Sequence, residues 1–250
     1  MYNPRDPYGR GNNPSRNRNQ GFGSSYQYQT LPYGYVGTQT SGLVSKVMGL
    51  LAFSFIFATL GAFVGVQISL GPGTFLVVAI AGFIVLFALQ ALIQKPGINL
   101  FLLYLFTFLE GLSLGPLIDY YLRTPGLSHL LGQAFAITAV TSLALALYAW
   151  TTKRDFSRFG DYLFLGVILL IVAGLLNILF QSSFFALIIC IVGIGIFSAY
   201  VLFYVQRAKY MADTLPNAIG LTVSLFMTVL NLFLYILQFL SIMQNNERRR

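Results

Sequence analysis

From residue 42 onward the chain alternates long apolar runs with short polar breaks. The runs fall near 45–69, 73–94, 97–122, 130–151, 161–181, 183–207 and 215–243. Each is near or above the ~20 residues that an α-helix needs to cross a hydrocarbon layer. Turn-forming residues punctuate the gaps: "GPG" at 71–73, "KPG" at 95–97, "TPG" at 124–126, "KRDFSRFGD" at 153–161, "QSS" at 181–183 and "KYMADTLPN" at 209–217. Backbone polar groups in lipid must be satisfied within the segment, so the runs are expected to be helices. The pattern predicts an all-α membrane protein, a seven-transmembrane-helix bundle over residues 42–245. Residues 1–41 are rich in Asn, Gly, Pro, Tyr, Arg and Gln and nearly lack aliphatic side chains. They bury too little apolar surface to offset their ordering entropy and are expected to form a disordered polar tail. The segment has no short apolar core and cleavage site near its start, so it does not read as a secretory signal. Residues 246–250 are expected to form a charged tail.

The polar positions inside the apolar runs are the informative exceptions. Glu110 stands about 13 residues into the third run, near mid-membrane at ~1.5 Å per residue. A carboxyl group there is costly to keep charged and marks a candidate ion or proton site. A protonated glutamate that hydrogen-bonds a neighbouring helix fits equally well. Gly111 and Gly115, four residues apart, allow another helix to approach closely. Pro116 removes one backbone bond, leaves the Leu112 carbonyl without its usual donor and is expected to bend the helix. Asp119 falls nearer the headgroups and reads as a solvated end residue. In the last run Ser224, Thr228, Asn231, Tyr235 and Gln238 recur at steps of four and three, which places them on one helix face. A polar stripe on an apolar helix is expected to face inward, which makes the C-terminal helix central. Asn177, Ser198, Tyr204 and Gln206 are expected to supply polar company, and interhelical hydrogen bonding without transport fits each member as well.

Composition supports this picture. The 250 residues are 56% hydrophobic and 9% charged, against about a quarter charged in a soluble domain, and the mean hydropathy is +0.73. The formal charge of +8 does not point to nucleic acid, because the bases lie in the tails and gaps. The lipid bilayer is the expected partner. Eleven of the 15 lysines and arginines (Arg5, Arg10, Arg16, Arg18, Lys46, Lys95, Lys153, Arg154, Arg158, Arg207 and Lys209) fall on the N-terminal side. That bias predicts a cytoplasmic N-terminus. Arg248, Arg249 and Arg250 conflict with it unless the tail escapes the rule or the last segment is re-entrant. The compact gaps suggest a bacterial plasma membrane.

Little conventional chemistry is available. With one histidine, His129, and one cysteine, Cys190, the usual zinc ligand sets cannot be assembled, and no metal site or cofactor is expected. Cys190 reads as a small apolar side chain. "GLSLG" at 111–115 matches the G-x-S-x-G pattern, but Ser113 needs a base within hydrogen-bond reach. The only histidine lies in the third gap near the membrane surface, and the neighbours Leu112, Leu114 and Pro116 do not resemble an oxyanion loop. No catalytic residue is assigned, and the protein is not expected to be an enzyme.

Three segments carry a resemblance: "EGLSLGPLIDYYL" at 110–122, "YAWTTKRDFSRFGDYLFLG" at 148–166 and "NLFLYILQFL" at 231–240. In this order and spacing they resemble the Bax inhibitor-1 (transmembrane Bax inhibitor motif) family over about residues 42–245. The resemblance implies six helices around a central seventh and a pH-sensitive calcium leak, with calcium as transported species rather than cofactor. It also implies, for other members, binding and modulation of membrane proteases or cell-death components. The family's gate rests on two aspartates, one in a Tyr-Asp-x-Gln-like stretch of the sixth helix and one in the seventh. Here "FYVQ" at 203–206 puts Tyr204 at the first position and "FMTVLNLF" at 226–233 puts Thr228 at the second. A basic partner before the third helix is replaced by the neighbourhood of Ile93, Gln94 and Lys95. Tyrosine and threonine do not change charge near neutral pH as a coupled carboxylate pair does, so the aspartate-pair sensor is not carried over. Calcium also loses its most evident ligands. The expectation is a cation leak with Glu110 as its sensitive group, or a non-transporting protein that restrains a membrane protease or a stress component.

Overall fold

The computed structural model describes residues 40–68 and 72–248. The tail expected over 1–41 lies outside that range except for Thr40 and Ser41, which begin the first helix. The described residues form α1 (Thr40–Gln67), α2 (Pro72–Ala91), α3 (Ile98–Arg123), α4 (Ser128–Thr151), α5 (Gly160–Phe180), α6 (Ser183–Ala208) and α7 (Leu215–Arg248), with a 3-10 turn at Ser157–Phe159 before α5. All seven helices are long and apolar enough to cross a membrane. The expected seven-span architecture is borne out, and the protein is an integral membrane protein.

Helices and apolar runs part company at their ends, where backbone chemistry decides the stop. The second run continues to residue 94, but α2 stops at Ala91. Pro96 lacks an amide donor, and Gly97, at φ 84°, takes a left-handed conformation before α3 begins. At the other extreme α7 runs for 34 residues, about 51 Å at the usual rise, well beyond a ~30 Å hydrocarbon layer. Residues 246–248, expected as tail, are its last turn. The re-entrant alternative fails, because α7 is one uninterrupted helix.

α7 is the axis of the molecule. Of its most apolar window 56% is buried inside the bundle, against 11–33% for the other helices. It packs on α1, α4 and α6 and, less extensively, on α3. The most extensive pairing is between α1 and α3, while α2 leans on α3 and α5 on α6. One cluster joins Leu89, Leu103, Phe106, Ile219 and Phe226 at the α1–α2–α3–α7 side. A second joins Leu130, Leu170, Ile189, Phe197, Leu232 and Ile236 at the α4–α5–α6–α7 side. Outward side chains stay apolar, with Phe135 70% and Leu179 77% exposed, as a lipid solvent allows. Lipid tails are as apolar as leucine, so packing and internal hydrogen bonds, rather than the hydrophobic effect, select among helix arrangements.

Side chains tie the ends of the bundle. At the end carrying the α4–α5 and α6–α7 connections, Lys46 Nζ pairs with Asp213 Oδ1 at 2.9 Å. Lys209 donates to the Ala149 carbonyl at 2.7 Å and the Trp150 carbonyl at 2.6 Å, and so caps α4. Gln206 reaches the backbone of residues 154–156. At the opposite end Gln244 Nε2 donates to the Gly126 carbonyl at 2.9 Å. The two ends of α7 therefore stand at opposite ends of the bundle.

Candidate functional site

Glu110 lies halfway along α3 and is half-buried. Its carboxylate faces α2: a methyl added at Gly82 would lie 3.5 Å from Glu110 Oε1. A side chain at Gly82 would meet the acid only at ordinary van der Waals distance, so the carboxyl lies against α2 without depending on the glycine. The described ion pairs, Lys46–Asp213 and Asp119–Arg123, do not include Glu110. Ser113 donates to the Glu110 main-chain carbonyl at 2.7 Å, so its hydroxyl is turned back onto its own helix. His129 is exposed in the second position of α4.

The structure does not bring Glu110 to the polar stripe of α7. Phe106, one turn before Glu110 on the same face of α3, packs edge-on against Phe226 with ring centroids 6.3 Å apart. At 3.6 residues per turn, Ser224, Thr228, Asn231, Tyr235 and Gln238 lie roughly 120–200° around α7 from Phe226. The stripe therefore faces away from α3. Sequence spacing fixed which residues share a face of α7 but not which neighbour that face meets.

The neighbour is α6. The Tyr204 hydroxyl lies beside the Ser224 side chain, and Tyr200 stacks on Tyr204 at 5.5 Å. Tyr235 stacks on Phe197 at 5.7 Å, and its ring lies 2.8 Å from where a Gly193 Cβ would be. Most of the stripe's polar atoms turn inward on their own helix. Ser224 donates to the Gly220 carbonyl at 3.0 Å, Thr228 to Ser224 at 2.7 Å and Asn231 to Met227 at 2.7 Å. Tyr204 and Thr228, the positions where the resemblance implies aspartates, thus both adjoin Ser224, Tyr204 beside its side chain and Thr228 bonded to its carbonyl. Two expected members fall outside this seam. Gln238 is exposed, because it sits at the trailing edge of the stripe. Asn177 is on α5, which packs against α6 rather than α7, and its Oδ1 is buried without a hydrogen-bond donor.

Gly111 and Gly115 lie on the face of α3 that meets α1. A Cβ at Gly111 would strike the Ala58 carbonyl, and one at Gly115 would strike Gly65. On α1, Gly61 meets the Phe108 carbonyl, and a Cβ at Gly65 would stand 2.5 Å from the Leu112 carbonyl oxygen. That oxygen is the acceptor that Pro116 deprives of its helical donor. Its approach to Gly65 makes a Cα–H···O contact the available substitute. α3 is nonetheless a continuous helix through Pro116.

The α1 half of this contact, Ala58–Gly61–Gly65, was missed in the sequence, although small residues four apart are a legible sign of close approach. Asn99 and Asn217 were missed as well. Asn99 is 1% exposed and donates to the Ile93 carbonyl at 2.9 Å. Asn217 holds the Ala212 carbonyl at 2.9 Å. Both secure connections next to helix starts, and no spacing rule marks them. Among the described residues no group of three His, Cys, Asp or Glu side chains gathers, and Cys190 is buried.

Comparison with known proteins adds a family. The family model described as "Inhibitor of apoptosis-promoting Bax1" matches residues 40–246, which takes in all seven helices. The chain is similar to a membrane protein of Vibrio cholerae, with 32% identity over 84% of this chain and 93% of the relative. It is similar to protein lifeguard 4 of mouse, with 31% identity over 68% of each chain. It is also similar to the Golgi anti-apoptotic protein of vaccinia virus, with 29% identity over 79% of this chain and 84% of the relative. A seven-helix bundle centred on its last helix, matched over its whole span by that model, belongs to the Bax inhibitor-1 family.

Proposed function

We propose that the protein passes a slow leak of cations, protons or calcium, with Glu110 as the group whose protonation sets the rate. The supporting observation is a carboxylate halfway along a membrane-spanning helix, outside the described ion pairs and facing Gly82 of α2. A charged carboxylate there is costly in hydrocarbon and a neutral one is not, so proton uptake alters the packing of α2 on α3. The path would run beside α2 and α3 rather than along the α6–α7 seam, whose hydroxyls are occupied by carbonyls of their own helix. Purified protein in liposomes should pass protons or calcium above protein-free vesicles, and Glu110→Gln should flatten the pH dependence of that flux. Flux no greater than that of empty vesicles ends this reading.

The closed seam favours a second reading, a non-transporting protein that binds and restrains another membrane protein, such as a protease or a cell-death or stress component. The name of the vaccinia relative, an anti-apoptotic protein, lends support to a cell-death component. Crosslinking in membranes should then trap a stoichiometric partner, and removal of residues 1–41 or substitutions in 153–161 should weaken the complex. A chain that crosslinks to nothing under conditions where controls do counts against it. Neither reading requires an enzyme or a cofactor. The bias of lysine and arginine supports a cytoplasmic N-terminus, and the bacterial relative supports a bacterial plasma membrane. A reporter active only outside the cytoplasm, fused after Arg250, should be active.

A further inference from the structure

The connection between α4 and α5, residues 152–159, carries three cations within six residues and is held by side-chain hydrogen bonds from α6. Lys153, Arg154 and Arg158 are all exposed. Beneath them the backbone is fixed from two sides. The Gln206 amide, 5% exposed, bridges the segment: its oxygen accepts from the Phe156 amide and its nitrogen donates to the Arg154 carbonyl. The Arg154 amide donates to Thr152 Oγ1 at 3.3 Å, and the Phe159 amide to the Phe156 carbonyl at 3.0 Å. Exposed aromatic side chains flank the segment: Trp150, Phe159, Tyr162 and Tyr210. Lys209, which caps α4, also stands 5.4 Å from the centre of the Trp150 ring.

Large amphipathic rings of this kind settle at the headgroup level of a bilayer. Guanidinium groups match phosphate in a two-point geometry. The opposite end of the bundle carries its cations on Arg123 and on Arg248, Arg249 and Arg250. Its α1–α2 and α5–α6 connections, 68–71 and 181–182, carry no charge, and Arg123 there is engaged by Asp119 at 2.6 Å. We infer that the α4–α5 connection is a preformed binding site for the headgroup of an anionic phospholipid, with Lys153, Arg154 and Arg158 taking the phosphate and Gln206 holding the loop that presents them. Asp155 and Asp161 share the segment, which leaves it a formal charge of +1. The site therefore selects anionic over zwitterionic lipid by a modest factor, and salt weakens it.

The chain contains one tryptophan, and Trp150 sits at the edge of this site, so it reports directly on the lipid beside it. The full-length protein is reconstituted in phosphatidylcholine bilayers containing a small fraction of lipid with brominated acyl chains, either phosphatidylglycerol or phosphatidylcholine, and quenching of Trp150 is compared. The wild type should show about fivefold enrichment of phosphatidylglycerol at low salt, the size expected for one net cation at an anionic surface. Enrichment should fall toward unity at high salt. The triple change Lys153→Gln, Arg154→Gln and Arg158→Gln should abolish it, while Arg123→Gln at the opposite end should leave it intact. Equal quenching by the two lipids in the wild type overturns the inference. So does enrichment that survives the triple change, since the three cations would then not be the contact. An unaltered circular dichroism spectrum for the triple variant ensures that a loss is read as loss of the site.

Discussion

Replacing Gly111 with alanine adds a single methyl group at the point where the structure has the Ala58 carbonyl. In an open stretch of helix the same change stabilises by about 0.5–1 kcal/mol, because alanine has less chain entropy to lose. Gly132 and Gly174, where nothing lies within 4 Å of an added Cβ, should show that gain. At Gly111 the two helices must separate instead. Gly65 gives the scale: a Cβ there would stand 2.5 Å from the Leu112 oxygen and 2.9 Å from the Gly115 Cα, roughly an ångström inside ordinary contact. Opening a packed interface by 0.5–1 Å forfeits about a quarter to a half of each adjoining dispersion contact. Overpacking by small increments typically costs about 1–3 kcal/mol, and rigid backbone atoms place this site at the upper end. We therefore expect Gly111→Ala to be destabilised by about 3 kcal/mol, and to fall about 3–4 kcal/mol below Gly174→Ala. Unfolding in mixed micelles by titration with a denaturing detergent, followed by helical circular dichroism, measures both variants on one scale. If the two variants unfold within about 0.5 kcal/mol of each other, the range of an ordinary surface substitution, α1 and α3 do not meet backbone to backbone and the packing described is wrong.

Other changes test separate parts of the molecule. Gln206→Leu leaves the Phe156 amide and Arg154 carbonyl without their partner, which should cost about 1–3 kcal/mol; unchanged hydrogen exchange across 152–159 would show that the amide clamp is not what orders this loop. Tyr204→Phe removes the hydroxyl beside Ser224 and should cost no more than about 1 kcal/mol in the same unfolding assay; a larger loss would show that this hydroxyl ties α6 to α7. Lys209→Met removes two donations from a charged group to the end of α4, each of a kind worth about 1.5–3 kcal/mol, and the loss should appear as faster exchange of the last α4 amides. Lys46→Ala should matter little, about 0–1 kcal/mol, because its pairing with Asp213 is largely solvent-exposed; a larger effect would mean that this tie holds α1 to the bundle.

The sequence alone determined that the chain spans a membrane seven times. Length and apolarity are properties of each segment by itself, and a hydrocarbon solvent leaves helices as the answer. It also determined that Ser224, Thr228, Asn231 and Tyr235 share a face, because helical periodicity is local. The ends of helices were less legible: Gly97 stops and restarts the chain by its backbone conformation, and α7 continues through Arg248 where hydropathy had already fallen.

Tertiary structure decided who meets whom. Glu110 and the α7 stripe are both polar exceptions in apolar helices, and in one dimension nothing distinguishes facing each other from facing apart. The fold sends Glu110 to α2 beside Gly82 and the stripe to Tyr204 and Gly193 on α6. Gln206 reads in the sequence as one more polar residue near the end of a helix, yet it clamps a loop some fifty positions away. Periodicity fixes rotation about a helix axis, but the choice of neighbour depends on which surfaces fit most closely. In this protein that choice rests on glycines such as Gly61, Gly65, Gly111 and Gly115, whose effect exists only when a second helix is present to use the space.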